Sequence, residues 1–359
     1  MAEKVKLTPE KQKQKEAKLL PITSFLQDYK ANLGDGSKKY RGIVSGFTEI
    51  DNKISGLDRF ILLAGRSGAG KTTLALQLAL GVAQQGTPVL IYSLEMSRDE
   101  IITKLVQDVA HSQGNSLFAS TIDLNGNSPT LDSMTKQQLE DALKGLADLG
   151  DLIYIRDGRN GTPSILPKRD GNGKPTDEGR VYKDVVDLKA KHNAERVLVI
   201  IDSVQDIVPD SSNQVQAEVK TLADLTELQQ STNATLLVTA QKNKASKANN
   251  DDDYGDVMGS MSYIHKPNTV LMLDTPRETL GKQGGGKNGG LTAEQKKELD
   301  KIDEHEKLNL CKPMVLKITK GRFTGASSIP LTFYGAYGYF TGENIGYNIA
   351  PDYYPDNAN

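Results

Sequence analysis

Cysteine is almost missing: Cys311 stands alone among 359 residues. That excludes an internal disulfide and a cysteine-built metal cluster, and it fits a reducing compartment. No apolar run approaches the roughly eighteen residues of a membrane span. The opening MAEKVKLTPEKQKQKEAKLL likewise lacks the apolar stretch of a signal peptide. The expectation is a soluble cytoplasmic chain with no membrane partner. Nor is there an excess of charge of either sign. Forty-four Lys and Arg against 46 Asp and Glu leave a net charge of -2. The chain therefore cannot coat nucleic acid by charge alone, and any such site must be local. A hydrophobic fraction of only 37% is low for a compact enzyme and points to arms, loops or inserts around one core.

Residues 1–41 read as an N-terminal arm and linker. Lys, Glu and Gln dominate up to position 20, as in a solvated helix or an arm ordered only by contact. Thr23 or Ser24 can then cap a short helix carrying Phe25, Leu26 and Tyr29, which packs on its own domain or docks on a neighbouring subunit. From 42 to 342 short apolar runs alternate with helical stretches, the rhythm of parallel strands joined by helical crossovers. Strands are expected at 61–64, 89–93, 152–155, 197–201, 235–239, 269–273 and 314–318. Leu74, Leu78 and Val82 recur at helical spacing, with Gly86 placed to end their helix. A second helix over 214–230 carries Val215, Val219, Leu222, Leu225 and Leu228 on one face. The predicted fold is α/β, a twisted, mostly parallel sheet with helices on both faces. Segments near 156–180 and 281–310 read as inserts, and 343–359 as a tail.

The run 61–64 leads straight into Gly65-Arg66-Ser67-Gly68-Ala69-Gly70-Lys71-Thr72-Thr73 and then into the Leu74 helix. This is the Walker A pattern in the strand–loop–helix setting that it requires. Glycines let backbone N–H groups turn in around phosphates and the helix N-terminus adds partial positive charge. Lys71 reaches the β- and γ-phosphates of ATP, and the Thr72 hydroxyl takes Mg²⁺. Asp202, after the apolar run 197–201, is the expected second Mg²⁺ anchor; its plainer alternative is a turn residue or a helix cap. A carboxylate that orients water is expected at the tip of a strand adjacent to the P-loop strand, and Glu95 after 89–93 supplies it. The alternative for Glu95 is a first-turn helix glutamate.

Ser93-Leu94-Glu95-Met96-Ser97 resembles the SLEMS segment of DnaB-type replicative DNA helicases. Gly46-Phe47-Thr48-Glu49-Ile50-Asp51 resembles the opening of that family's motor domain. Ile201-Asp202-Ser203-Val204-Gln205, Thr239-Ala240-Gln241-Lys242-Asn243-Lys244 and Thr319-Lys320-Gly321-Arg322-Phe323-Thr324-Gly325 resemble its later segments, all in family order. The resemblance implies a RecA-like ring-forming ATPase, a hexamer that translocates on single-stranded DNA during replication. It makes Glu95 the activator of water, Gln241 a γ-phosphate sensor, and Lys320 and Arg322 a pair reaching into the neighbouring subunit's ATP site. Ser67 replaces the family's usual proline and Ser203 its tyrosine, as in a divergent, phage- or plasmid-like member. The collar that recruits primase does not fit into the 40 or so residues before Gly42, so a loader and a primase are expected to be separate proteins.

DNA is expected at the loops 208–216 and 243–264, with Lys242, Lys244 and Lys247 as phosphate-contacting groups and Asp251, Asp252 and Asp253 turned away. Two rival readings remain: a recombination or branch-migration ATPase of the RadA or RecA type, and a regulatory or assembly ATPase resembling KaiC.

Overall fold

The computed structural model describes residues 21–24, 26–27, 30, 41–115, 119–121, 123–124, 133–157, 165–169, 175–242, 261–276, 278, 296–297, 300, 311–321 and 325–342. Two units divide the chain, Met1–Lys39 and Tyr40–Asn359. In the first, residues 23, 24, 26, 27 and 30 are helical, and Ile22 and Leu26 are exposed.

In the second unit the elements run in order α1 (Thr48–Ile54), β1 (Phe60–Gly65), α2 (Lys71–Gln84), β2 (Val89–Ser93), α3 (Arg98–Ser112), α4 (Ser133–Ala147), β3 (Ile153–Asp157) and a two-strand pair, β4 (Lys168–Arg169) with β5 (Pro175–Asp177). They continue with α5 (Arg180–His192), β6 (Leu198–Asp202), a 3-10 turn (Val204–Ile207), α6 (Gln214–Thr232), β7 (Thr235–Gln241), α7 (Ser262–His265), β8 (Thr269–Asp274), β9 (Lys312–Gly321), β10 (Ser327–Tyr334) and β11 (Tyr339–Thr341).

One sheet of nine strands has the order β11-β10-β9-β8-β1-β7-β6-β2-β3. The block from β8 to β3 is parallel, and β9, β10 and β11 are added antiparallel. All seven expected strands coincide with observed ones, their ends displaced by up to three residues, as for 314–318 against Lys312–Gly321. The alternation along β1 builds two cores: Ile61 and Leu63 face one with α2 and α3, while Phe60, Leu62 and Ala64 face the other with α5 and α6. Burying each of the larger side chains among these, Phe60, Ile61, Leu62 and Leu63, contributes about 1.5–3 kcal/mol. Gly86 ends α2 as expected, taking φ +79 one residue beyond the cap, a conformation that glycine adopts without strain.

Three readings are corrected here. In α6 the buried stripe runs through Ala217, Glu218, Thr221, Leu222, Leu225 and Leu228, while Val215 and Val219 are exposed. The strand with Glu95 is not next to the P-loop strand, since β7 and β6 lie between β1 and β2. Strands β10 and β11 were not foreseen. Pro330 interrupts the strand pattern of SSIPLTFY, yet it sits where β10 is paired on one side alone, because β11 pairs only with Thr332–Tyr334. Of the insert at 156–180, Ile165 is buried and β4 and β5 form a short hairpin. The insert at 281–310 lies outside the described residues except 296, 297 and 300, which are helical.

Candidate active site

Parallel strands place ligand sites at their C-terminal ends, and the motif residues converge there. The loop between β1 and α2 turns through Gly68 and Gly70, both with positive φ (+75 and +89). A Cβ on Gly70 would sit 2.8 Å from Phe340 Cζ and 3.0 Å from Phe333 Cζ. Those two rings stack at 4.4 Å and form the floor of the loop. The Gln77 side chain of α2 fastens that floor, accepting from the Phe340 N–H and donating to its carbonyl, each at 2.8 Å.

Lys71 Nζ donates to the carbonyls of Gly65 (3.1 Å) and Arg66 (3.0 Å), inside its own loop. Burial lowers its pKa, while Asp202 and Glu95 pull it back up. Thr72 Oγ1 donates to Asp202 Oδ2 at 2.7 Å, and Thr239 Oγ1 donates to Asp202 Oδ1 at 2.5 Å. Asp202 is therefore the buried hub between α2, β6 and β7 and no mere turn residue. A hydroxyl beside a single carboxylate suits Mg²⁺, which keeps most of its shell as water and substrate phosphate oxygens. Among the described residues there is no group of three or more His, Cys, Asp or Glu side chains that would instead form a protein-only cage.

Glu95 follows β2, whose end is in register with Asp202 through Ser93. It precedes α3, and the helix is capped without it: Ser97 and Glu100 form a reciprocal capping box. The helix-glutamate alternative is thereby excluded. Glu95 instead lines the same cleft, of about 270 Å³, as Lys71, Thr72, Asp202 and Gln241. Partial burial raises its pKa, with Asp202 and Asp206 adding to the rise and Lys71 opposing it. Gln241 ends β7 in direct register with Gly65.

The cleft also contains groups not foreseen. Lys104 of α3 lines it and donates to Thr73 Oγ1 at 3.4 Å, and burial lowers its pKa against the pull of Asp108 and Glu100. One turn deeper, Asp108 is buried and neither of its oxygens has a hydrogen-bond partner. Burial raises its pKa well above the ordinary value and Lys104 offsets this only in part. A carboxyl that binds its proton more tightly folded than unfolded stabilises fully only below an unfolded pKa of about 4, and that contribution fades as pH rises toward the folded value. Asp108→Asn is therefore expected to raise Tm more at pH 8 than at pH 5. A Tm difference from the parent that is the same at both pH values in calorimetry would refute this.

Two basic residues take other positions than expected. Lys242 is buried and its Nζ donates to Asp274 Oδ1 at 2.6 Å, so its charge is spent inside the protein and not on DNA. Lys320 Nζ donates to the carbonyls of Ile264 (2.7 Å), His265 (3.0 Å) and Pro267 (2.7 Å), fastening the end of α7 of its own chain. Arg322, Lys244, Lys247 and the three aspartates at 251–253 lie outside the described residues. Arg66 ion-pairs with Glu278. Among the described residues no helix is long and apolar enough to cross a membrane.

The family model "DnaB-like helicase C terminal domain" matches residues 42–165. The replicative DNA helicase DnaB of Synechocystis sp. is 27% identical over 240 residues, 65% of this chain and 24% of that protein. That of Geobacillus stearothermophilus is 34% identical over 130 residues, 34% of this chain and 25% of that one. The chain thus spans about a quarter of these relatives' length. Among solved structures, an ATPase domain aligns with a TM-score of 0.69 at 19% identity, covering 91% of this chain and all of that one. A DnaB-like replicative helicase studied with primase aligns at 0.66 and 20% identity, covering 89% of this chain and 67% of that one. These likenesses establish the fold as the RecA-like fold of DnaB-type motor domains.

Proposed function

We propose that this chain is the ATP-hydrolysing motor of a DnaB-type replicative DNA helicase, assembling as a hexameric ring that moves along single-stranded DNA. The observation that carries the reading is the meeting of Lys71, Thr72, Asp202, Glu95 and Gln241 in one cleft, within a chain whose likenesses are to replicative helicases.

The residues divide the work. Backbone N–H groups of the glycine loop and the start of α2 receive the phosphates, and Lys71 exchanges its bonds to the Gly65 and Arg66 carbonyls for phosphate oxygens. Mg²⁺, held by Thr72 and Asp202, would neutralise charge on the β- and γ-phosphates. Glu95 accepts the proton of the attacking water; its raised pKa brings it nearer the working pH of a general base. Gln241, beside Gly65 in the sheet, carries the presence of the γ-phosphate to the loop that follows it. Single-stranded DNA then contacts that loop, through Lys244 and Lys247 in place of Lys242.

Arg322 completes the cleft of the neighbouring subunit in this reading. Arg322→Ala chains mixed with Lys71→Ala chains are expected to regain ATPase activity that neither has alone, since each repairs a different half of a shared site. Mixed rings that form without any such recovery would rule the finger out. Loader and primase remain proposed as separate proteins.

The deciding experiment is ATP-dependent unwinding of a forked duplex with a 5′ or a 3′ single-stranded tail, with hydrolysis measured with and without single-stranded DNA. Unwinding from a 5′ tail supports the helicase. Stimulation by DNA without unwinding favours a RadA- or RecA-like recombination ATPase, and hydrolysis blind to DNA favours a KaiC-like regulatory one.

A further inference from the structure

The residue that follows Gln241 is a lysine almost closed off from solvent. The Lys242 side chain is 4% exposed and that of its partner Asp274 1%. Lys317 of β9, 2% exposed, brings a second ammonium to 3.2 Å from Asp274 Oδ2. Burial pushes the Asp274 carboxyl up, but the two ammoniums outweigh burial and hold it below the usual carboxylate range.

The pair joins two strands that are not neighbours. Lys242 directly follows β7, Asp274 ends β8, and these two strands flank β1 on its opposite sides. The ion pair therefore crosses the C-terminal end of the strand that carries the phosphate loop. At that end Gly65 has Gln241 in register on one side and Leu273 on the other. A Cβ there would lie 2.8 Å from the Leu273 carbonyl oxygen, so β1 and β8 meet without slack. The Lys242 N–H donates to the Gly65 carbonyl at 3.1 Å, and that same oxygen accepts from Lys71 Nζ. One residue thus holds Asp274 with its side chain and the root of the phosphate loop with its backbone.

A buried ion pair is a poor means of adding stability, because removing two charges from water costs several kcal/mol per ion. Two ammoniums on one carboxylate add to that cost. We propose that the Lys242–Asp274 pair is a staple across the phosphate-loop strand, and that both are positioning residues holding Gln241 at its distance from the γ-phosphate. The inference rests on the sensor role given to Gln241 under the proposed function.

The test needs only ATP. Lys242→Met removes the staple and leaves Asp274 paired one-to-one with Lys317. Lys317→Met removes the same buried charge but keeps the staple. Lys242→Met is expected to lower kcat about tenfold, with KM for ATP within about twofold, since displacing a positioned group by an ångström can cost up to ~100-fold. Combined with Gln241→Ala it should add no further loss, as for residues acting as one unit. Lys317→Met should keep the parent kcat. The inference is overturned if Lys242→Met lowers Tm but not kcat, if its effect multiplies with that of Gln241→Ala, or if Lys317→Met loses as much kcat. Should Lys242→Met not fold, Asp274→Leu combined with Lys317→Met cuts the same pair, leaving no side-chain oxygen to accept from Lys242 Nζ, while preserving the net buried charge. It must show the same drop in kcat at unchanged KM, and parental kcat in that variant would overturn the inference. A parent whose hydrolysis ignores DNA would sink the helicase reading and leave this comparison intact.

Discussion

Glu95→Gln is expected to lower ATP turnover by ~10²–10⁴-fold, the usual contribution of a positioned general base, while ATP still binds. Glutamine keeps the shape and the hydrogen-bonding oxygen of Glu95 but cannot take a proton from water. The fold should not notice, because α3 is capped by Ser97 and Glu100 without help from Glu95. Binding should tighten slightly, since one of the carboxylates facing Lys71 is gone. Phosphate release in steady state, with equilibrium titration of a fluorescent ATP analogue, separates the two effects. Retention of more than a tenth of parental turnover would remove Glu95 from the chemistry.

Lys71→Ala is expected to act on binding itself. Hydrogen bonds to charged groups contribute about 1.5–3 kcal/mol each, or roughly 10- to 150-fold in affinity. The loss here should reach or exceed the upper end for two reasons. Lys71 ties the loop together through the Gly65 and Arg66 carbonyls, and its ammonium is the positive charge facing Asp202 and Glu95. Without it, two carboxylates confront an incoming polyphosphate. Lys104→Ala gives the contrast: its ammonium also lines the cleft, but among the described residues its hydrogen bond is the long one to Thr73 Oγ1 at 3.4 Å, so its loss should weaken ATP several-fold and no more. Equal losses for the two lysines in the same titration would show that the loop lysine has no special place.

What the sequence discloses about this site follows from how local each part is. The phosphate loop, Asp202 and Glu95 are each read from an apolar strand and the residues directly after it, because a parallel sheet delivers ligands at strand ends. Lys104 escaped notice because a helix brings it in from more than thirty residues beyond the loop, where it looks like any lysine on an amphipathic helix. Lys242 misled for a related reason. Next to Lys244 and Lys247 it reads as one of a cluster of surface cations, and nothing nearby announces Asp274 across the sheet. The order of strands was hidden as well, since Glu95 was expected beside the P-loop strand and two strands intervene. The helix α6 shows the limit of periodicity: Val215 and Val219 fit the apolar face by spacing, yet the buried stripe passes through Ala217, Glu218 and Thr221 instead.

The aromatic floor has a consequence for the making of the protein. Gly70 belongs to the first quarter of the chain, whereas Phe333 and Phe340, against which it packs, come near the end of the described residues. A chain still being translated can form β1 and α2 early, but its phosphate loop then has nothing beneath it, and Gln77 has no Phe340 backbone to grip. Competence to hold nucleotide is therefore expected only after β10 and β11 have joined the sheet. A chain stalled before the β10–β11 hairpin should fail to bind an ATP analogue, and binding should appear once that hairpin has joined the sheet.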